Sequence, residues 1–240
     1  MTQPKKHPEK ADFENIKDWV FDLDNTLYPH STDLFSQIDR NMTAYVAALL
    51  AMEPAEARKL QKDYYRDHGT TLQGLMINHG VDPDDFLQKA HAIDYSVVRP
   101  DPVLAAAIKA LPGRKFIFTN GSTAHAEKTI EALGIVNQFD DIFDIVASEY
   151  TPKPSAAAYE RFLTRSGVDT KHAAMFEDLP RNLETPNRLG MKTVLVVPKN
   201  LDYGLAQAFE RIGNHTAHID YVTEHLTDFV LSISGNFIDN

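Results

Sequence analysis

The sequence predicts an α/β fold: a parallel sheet flanked by helices, with a helical domain inserted after the first strand. Two observations predict it. From residue 112 onward, short apolar runs alternate with segments of helical spacing, as in parallel strands joined by crossover helices. Between residues 31 and 111 helical spacing recurs without a convincing strand, and roughly eighty residues is far more than one crossover needs.

The elements follow in order. Residues 1–15 are polar and read as a weakly ordered arm. "KDWVFDLDN" is a short apolar run closing in polar residues, as a buried parallel strand would. "STDLFSQIDRNMTAYVAALLAM" has helical spacing with Ser31, Thr32 or Asp33 as N-cap candidates. Glu53-Pro54 breaks it, "PAEARKLQKDYYRDHG" resumes it, and Gly69 is a natural stop. "TTLQGLMINHG", "DPDDFLQKAHAIDY" and "DPVLAAAIKAL" add three helices. Then come strand "RKFIFTNG", helix "TAHAEKTIEALG", strand "DIVAS", helix "SAAAYERFLTRSG", strand "HAAMFEDL", helix "PRNLETPNRLG" and strand "KTVLVVP". Strand "AHIDYV" and helix "TEHLTDFVLSI" close the pattern. The expected organisation is an arm at 1–15, a core at 16–28 and 102–240, and a helical insertion at 29–101.

Composition narrows the class. The chain has 240 residues, 43% hydrophobic and 24% charged, so a sizeable apolar core is expected. A net charge of −10 argues against nucleic acid as a partner, since that affinity rests on basic patches meeting phosphates. A small anion remains compatible, because local positive groups govern its binding. Without cysteine there is no disulfide, zinc–thiolate site or thiol catalysis. The first residues lack an apolar signal core, so the expectation is a cytoplasmic protein without a membrane span.

Chemistry gathers at the strand ends. Asp22 and Asp24 close the first strand, Thr119 and Asn120 another, and Glu177 and Asp178 a third, while Lys153 lies in "TPKPS" just before a helix. Neighbouring carboxylates repel, so a cation, a shared proton or a reacting group must compensate them. A parallel sheet binds ligands beyond the carboxyl ends of its strands, which gives all four groups one address. Three or four carboxylates, a hydroxyl, an amide and an ammonium suit Mg²⁺ with a phosphoryl group, because Mg²⁺ takes hard oxygen ligands and few protein carboxylates.

In order and spacing, "FDLDNT", "FTNG", "KPS" and "FEDLPRN" resemble the four motifs of the haloacid dehalogenase-like hydrolases over residues about 17–200. The resemblance implies a Rossmann-like core whose helical insertion is the family's first cap type. It implies Asp22 as a nucleophile forming an aspartyl-phosphate and Asp24 as acid and then base, an acid there going with phosphoryl transfer rather than dehalogenation. Mg²⁺ would meet Asp22, the Asp24 carbonyl and Asp178. Thr119, Asn120 and Gly121 would bind phosphoryl oxygens, and Lys153 would balance charge. Glu177 stands where many members carry aspartate, which leaves open which of Glu177 and Asp178 touches the metal; Asp178 is the expectation. Asn182 could orient a ligand.

"FDLDNTLYPHST" and "YYRDHGTTLQGL" further resemble the pyrimidine 5′-nucleotidase branch, which implies UMP or CMP as substrate. Tyr64, Tyr65, His68, Thr71, Gln73 and Asn78 are then candidate leaving-group contacts, with packing an equal alternative for the two tyrosines. His215 and His218 read as exposed loop and strand-edge residues. Other outcomes are a phosphatase of phosphoglycolate or a sugar phosphate, a phosphotransferase, or a silent binding module on the same fold. The oligomeric state is open.

Overall fold

The computed structural model describes residues 4–5, 8–198 and 217–234. Six parallel strands form one sheet: β1 (Asp18–Phe21), β2 (Arg114–Phe118), β3 (Asp141–Phe143), β4 (Ala173–Glu177), β5 (Lys192–Val196) and β6 (Tyr221–Thr223), in the order β3-β2-β1-β4-β5-β6. The strand order reverses at β1, which pairs with β2 on one side and β4 on the other. A crevice at the carboxyl end of β1 follows from that topology.

Alternation along β1 builds two cores. Trp19 and Phe21 face one side with Leu104, Ile108, Ile130 and Phe229. These come from helices α5 (Pro102–Ala110), α6 (Thr123–Leu133) and α9 (Leu226–Ser234). Val20 faces the other side with Phe116, Phe118 and Met175, under Tyr159 and Phe162 of α7 (Ala156–Ser166). The short α8 (Glu184–Leu189) follows β4.

Between β1 and α5 lie α1 (Leu34–Leu50), α2 (Pro54–His68), α3 (Thr71–His79) and α4 (Pro83–Ala90). They enclose their own apolar cluster, including Ile38, Val46, Leu75 and Phe86, which Ile145 joins from the turn after β3.

Local details depart from the sequence expectations. The arm is partly packed: Phe13 is buried beside Trp19, and Lys5 bridges to Tyr221. The third strand is Asp141–Phe143 rather than "DIVAS". Asp144 ends it, its carboxylate accepting from the Thr123 and Ala147 amides and folding residues 145–150 into turns. The last strand begins at Tyr221, and "PRNLETPNRLG" divides into a 3₁₀ turn (Pro180–Leu183) and α8. Asp33 is the N-cap of α1, where it has a left-handed backbone and its side chain does not bond the helix amides. His215 lies outside the described residues, and His218 sits 2.9 Å from the Pro180 carbonyl. Among the described residues no helix is long and apolar enough to cross a membrane.

Candidate active site

The polar strand ends meet as the topology requires. Asp22 continues β1, its amide donating to the Phe176 carbonyl at 2.9 Å. Lys153 arrives from the opposite loop, is wholly buried, and spends its ammonium protons on Asp22 Oδ1 at 2.7 Å, the Phe118 carbonyl at 2.7 Å and Glu177 Oε1 at 2.9 Å. Asn120 holds that loop in place. Its Oδ1 accepts from the Lys153 amide at 2.9 Å and its Nδ2 donates to the Lys153 carbonyl at 3.3 Å. The Asn120 side chain is therefore engaged with the lysine's backbone. Thr119 is buried and its hydroxyl accepts from the Gly121 amide, while Ser122 caps α6.

Glu177 and Asp178 divide the work between them. Glu177 is buried, with Oε1 accepting from Lys153 and Asn182 and Oε2 from the Leu179 amide. Asp178 lines the cavity, with Oδ2 3.5 Å from His30 Nε2. One oxygen each from Asp22, Glu177 and Asp178 lies within 4.8 Å of the others, a set compatible with a metal ion. The donors already on Glu177 favour Asp22 and Asp178 as its ligands. Asn182 leaves its amide oxygen buried without a partner, an acceptor suited to a proton of a cation's hydration shell.

Electrostatics show the same crowding. Burial pushes the Asp22 carboxyl up to about 7, with Lys153 opposing and Glu177 and Asp24 adding to it. Asp178 is raised by burial and by Glu177 and Asp22. Burial would lower Lys153, but Asp22 and Glu177 outweigh it and hold the ammonium above the ordinary lysine value. Negative charge exceeds positive charge here, and a divalent cation would offset most of the excess.

Asp24 sits in a different network, and most of it escapes a sequence reading. Its Oδ1 receives the Tyr28 hydroxyl and lies 2.9 Å from His125 Nε2. His125 Nδ1 lies 2.9 Å from the Tyr95 hydroxyl, and the His91 ring stacks on the His125 ring at 4.4 Å. Burial and His125 push His91 down to about 3, so it is neutral. Burial would raise Asp24, yet His125 and Tyr28 outweigh it and hold the carboxyl below its ordinary value. A histidine three residues after an N-cap carries no sequence signal of this role.

A cavity of about 240 Å³ joins these groups to the helical insertion. Its apolar wall includes Phe35, Ile38, Met42, Phe86 and Leu87, and its polar wall Asp39, Gln61 and Lys62. Tyr65 and Thr71 line it as expected, and the Arg181 guanidinium lies over the Tyr65 ring at 4.4 Å. His68, Tyr64, Gln73 and Asn78 do not line it. Tyr64 packs between His68 and His79, and the Asn78 amide donates to the Gly74 carbonyl. Helical periodicity explains this difference: Tyr65 faces the sheet edge while Tyr64 turns toward α3.

A model of the haloacid dehalogenase-like hydrolase family matches residues 19–190. The chain belongs to that family. Curated relatives of this haloacid dehalogenase-like hydrolase include phosphate metabolism protein 8 of Saccharomyces cerevisiae, 28% identical over 83% of this chain and 67% of the relative. Glyceraldehyde 3-phosphate phosphatase of Methanopyrus kandleri is also 28% identical, over 75% of this chain and 84% of its own. Similar solved folds include the L-2-haloacid dehalogenase of Xanthobacter autotrophicus, with TM-score 0.59, 19% identity and coverage of 92% and 99%. The phosphatase of this superfamily from Thermococcus onnurineus has TM-score 0.56, 16% identity and coverage of 89% and 95%.

Proposed function

We propose that this hydrolase is a Mg²⁺-dependent phosphomonoesterase that acts on pyrimidine nucleoside monophosphates. The observation that carries the reading is Lys153, buried between Asp22 and Glu177 beneath a cavity that Asp24 and Asp178 also line. The phosphatase name of the Methanopyrus kandleri relative and the yeast protein's place in phosphate metabolism support it.

Asp22 attacks phosphorus and forms an aspartyl-phosphate, splitting one displacement into two easier ones. Asp24 gives a proton to the leaving alkoxide and later takes one from the attacking water. His125 and Tyr28 hold Asp24 below its ordinary value, so its acid form arises with the bound phosphoryl anion, whose charge raises its proton affinity. Lys153 fixes the Asp22 carboxylate and offsets charge near it. Thr119 and the turn through Gly121 face the phosphoryl oxygens. Asp22, the Asp24 carbonyl and Asp178 would hold Mg²⁺, whose charge lets an anionic nucleophile approach an anionic ester.

Residues 29–101 act as the cap over a core formed by residues 16–28 and 102–240. The cavity's apolar wall, with the Tyr65 ring nearby, suits a flat base. The Methanopyrus kandleri relative's name favours a second reading, a small sugar phosphate. A panel of UMP, CMP, purine monophosphates, glyceraldehyde 3-phosphate and phosphoglycolate, assayed with Mg²⁺ and with chelator, separates them. UMP and CMP should lead and chelation should abolish turnover. Equal rates across the panel would reject the nucleotide assignment, and phosphate release surviving Asp22→Asn would reject the nucleophile.

A further inference from the structure

We propose that His125 is a positioning residue for Asp24, which with Tyr28 saturates Oδ1 and so confines the transferable proton to Oδ2. The inference rests on Asp24 serving as the acid, as argued above. Oδ1 meets two groups, the Tyr28 hydroxyl and His125 Nε2. A carboxylate oxygen can only accept, so Nε2 carries a hydrogen and donates it to Oδ1. A proton placed on Oδ1 would have to displace one of these donors, whereas among the described residues no donor is bonded to Oδ2.

The ring that delivers this bond is held at both edges and on one face. On its far edge, Nδ1 lies 2.9 Å from the Tyr95 hydroxyl and is hydrogen-bonded to it. On its face, His91 stacks with an interplanar angle of 6°, and His91 Nδ1 is anchored 3.0 Å from the Ser122 hydroxyl. Beside it, a Cβ added at Gly121 would come within 3.2 Å of His125 Cδ2. Turning the ring over would replace both nitrogens with carbons at Asp24 and Tyr95. The ring is therefore held with Nε2 toward Asp24 and Nδ1 toward Tyr95.

The partners come from three separate parts of the chain. Asp24 follows β1, 101 residues before His125, and His91 and Tyr95 lie on the exit from the helical insertion. The orientation of the acid is thereby tied to the seating of that exit segment. In the step served, the proton leaves Asp24 Oδ2 for the bridging ester oxygen as the P–O bond breaks and the alcohol departs. Asp22 meanwhile gains the phosphoryl group.

Leaving-group dependence tests this, because p-nitrophenolate departs without a proton and an alkoxide does not. The readout is kcat/KM, which ends at release of the first product and so excludes hydrolysis of the aspartyl-phosphate. In His125→Leu, kcat/KM for UMP and for glycerol 2-phosphate should fall about tenfold to hundredfold, and for p-nitrophenyl phosphate by less than about threefold. Tyr95→Phe, which removes one half-buried hydroxyl, should show the same asymmetry at several-fold and carries the test if His125→Leu does not fold. Equal losses on alkyl and aryl esters in Tyr95→Phe, or no loss in either variant, overturn the inference. A wild-type chain inert toward every ester overturns the phosphatase reading and this inference with it. Esterase activity retained in Asp22→Asn instead rejects the aspartyl-phosphate step that Asp24 is held to serve, and so overturns this inference alone.

Discussion

Burying an ammonium costs several kcal/mol unless each proton finds an acceptor, and Lys153 meets that condition with Asp22, the Phe118 carbonyl and Glu177. Removing it leaves two buried carboxylates facing each other without a counter-charge. Lys153→Met keeps most of the volume, so its effect isolates the charge. It should destabilise the fold by about 3–5 kcal/mol and lower kcat by at least about a hundredfold. Thermal melting and p-nitrophenyl phosphate turnover measure the two; unchanged melting would show that Lys153 does not balance the carboxylates. The acidic residues here were legible in the sequence because carboxylates at the end of an apolar run contradict the pattern around them. His125, Tyr95, His91 and Tyr28 were not. Each looks ordinary in its own segment, and only the fold brings His125 to Asp24 across 101 positions.

At the scale of elements, helices of the insertion were legible from their spacing and stops, but what each face touches was not. α2 and α3 meet where Gly74 lies against Tyr64: an added Cβ would stand 2.5 Å from Tyr64 Cβ. That atom is close to the backbone and cannot swing aside. Gly74→Ala should therefore cost about 1–3 kcal/mol through overpacking, read as a lower melting temperature with KM little changed. A second tie joins α1 to α2. Burial would raise the Asp39 carboxyl, but Lys62, Arg58 and Gln61 outweigh it and hold it below the ordinary value of 3.8. A depressed folded-state value means this contribution is complete above about pH 4 and is lost as the pH falls through the folded-state value. Asp39→Asn should cost about 1–2 kcal/mol at pH 7, and its deficit against wild type should shrink below about pH 4 in melting scans. A deficit independent of pH would point to packing instead. The third strand shows a limit of pattern reading: "DIF" and "DIVAS" are equally apolar, and only the amides captured by Asp144 decide where the strand ends.

For the whole molecule, strand order determines where charge accumulates. β1 lies between β2 and β4, so Asp22 from β1, Glu177 from the end of β4 and Asp178 just after it share one crevice in a chain of net charge −10. The sequence makes that convergence legible through the parallel-sheet pattern; the cavity's volume and its walls depend on how the insertion seats, which no periodicity encodes. The convergence has a measurable thermodynamic consequence. Asp22, raised to about 7, binds more protons folded than unfolded across pH 4 to 7, so stability without metal should fall as pH rises through that window. A divalent cation that binds only the folded chain reverses the loss by mass action, adding about 2.7 kcal/mol at a hundred times its Kd. That corresponds to a rise of about 5–10 °C in melting temperature for a chain of this size, larger at pH 8 than at pH 6 because the ligands must be ionised. Asp178→Asn should remove most of the rise. Glu177→Gln should keep more of it while starting from a lower melting temperature, because Glu177 is already engaged by Lys153, Asn182 and the Leu179 amide. Melting curves with and without Mg²⁺ at the two pH values decide it: a rise that Asp178→Asn leaves intact would place the cation elsewhere.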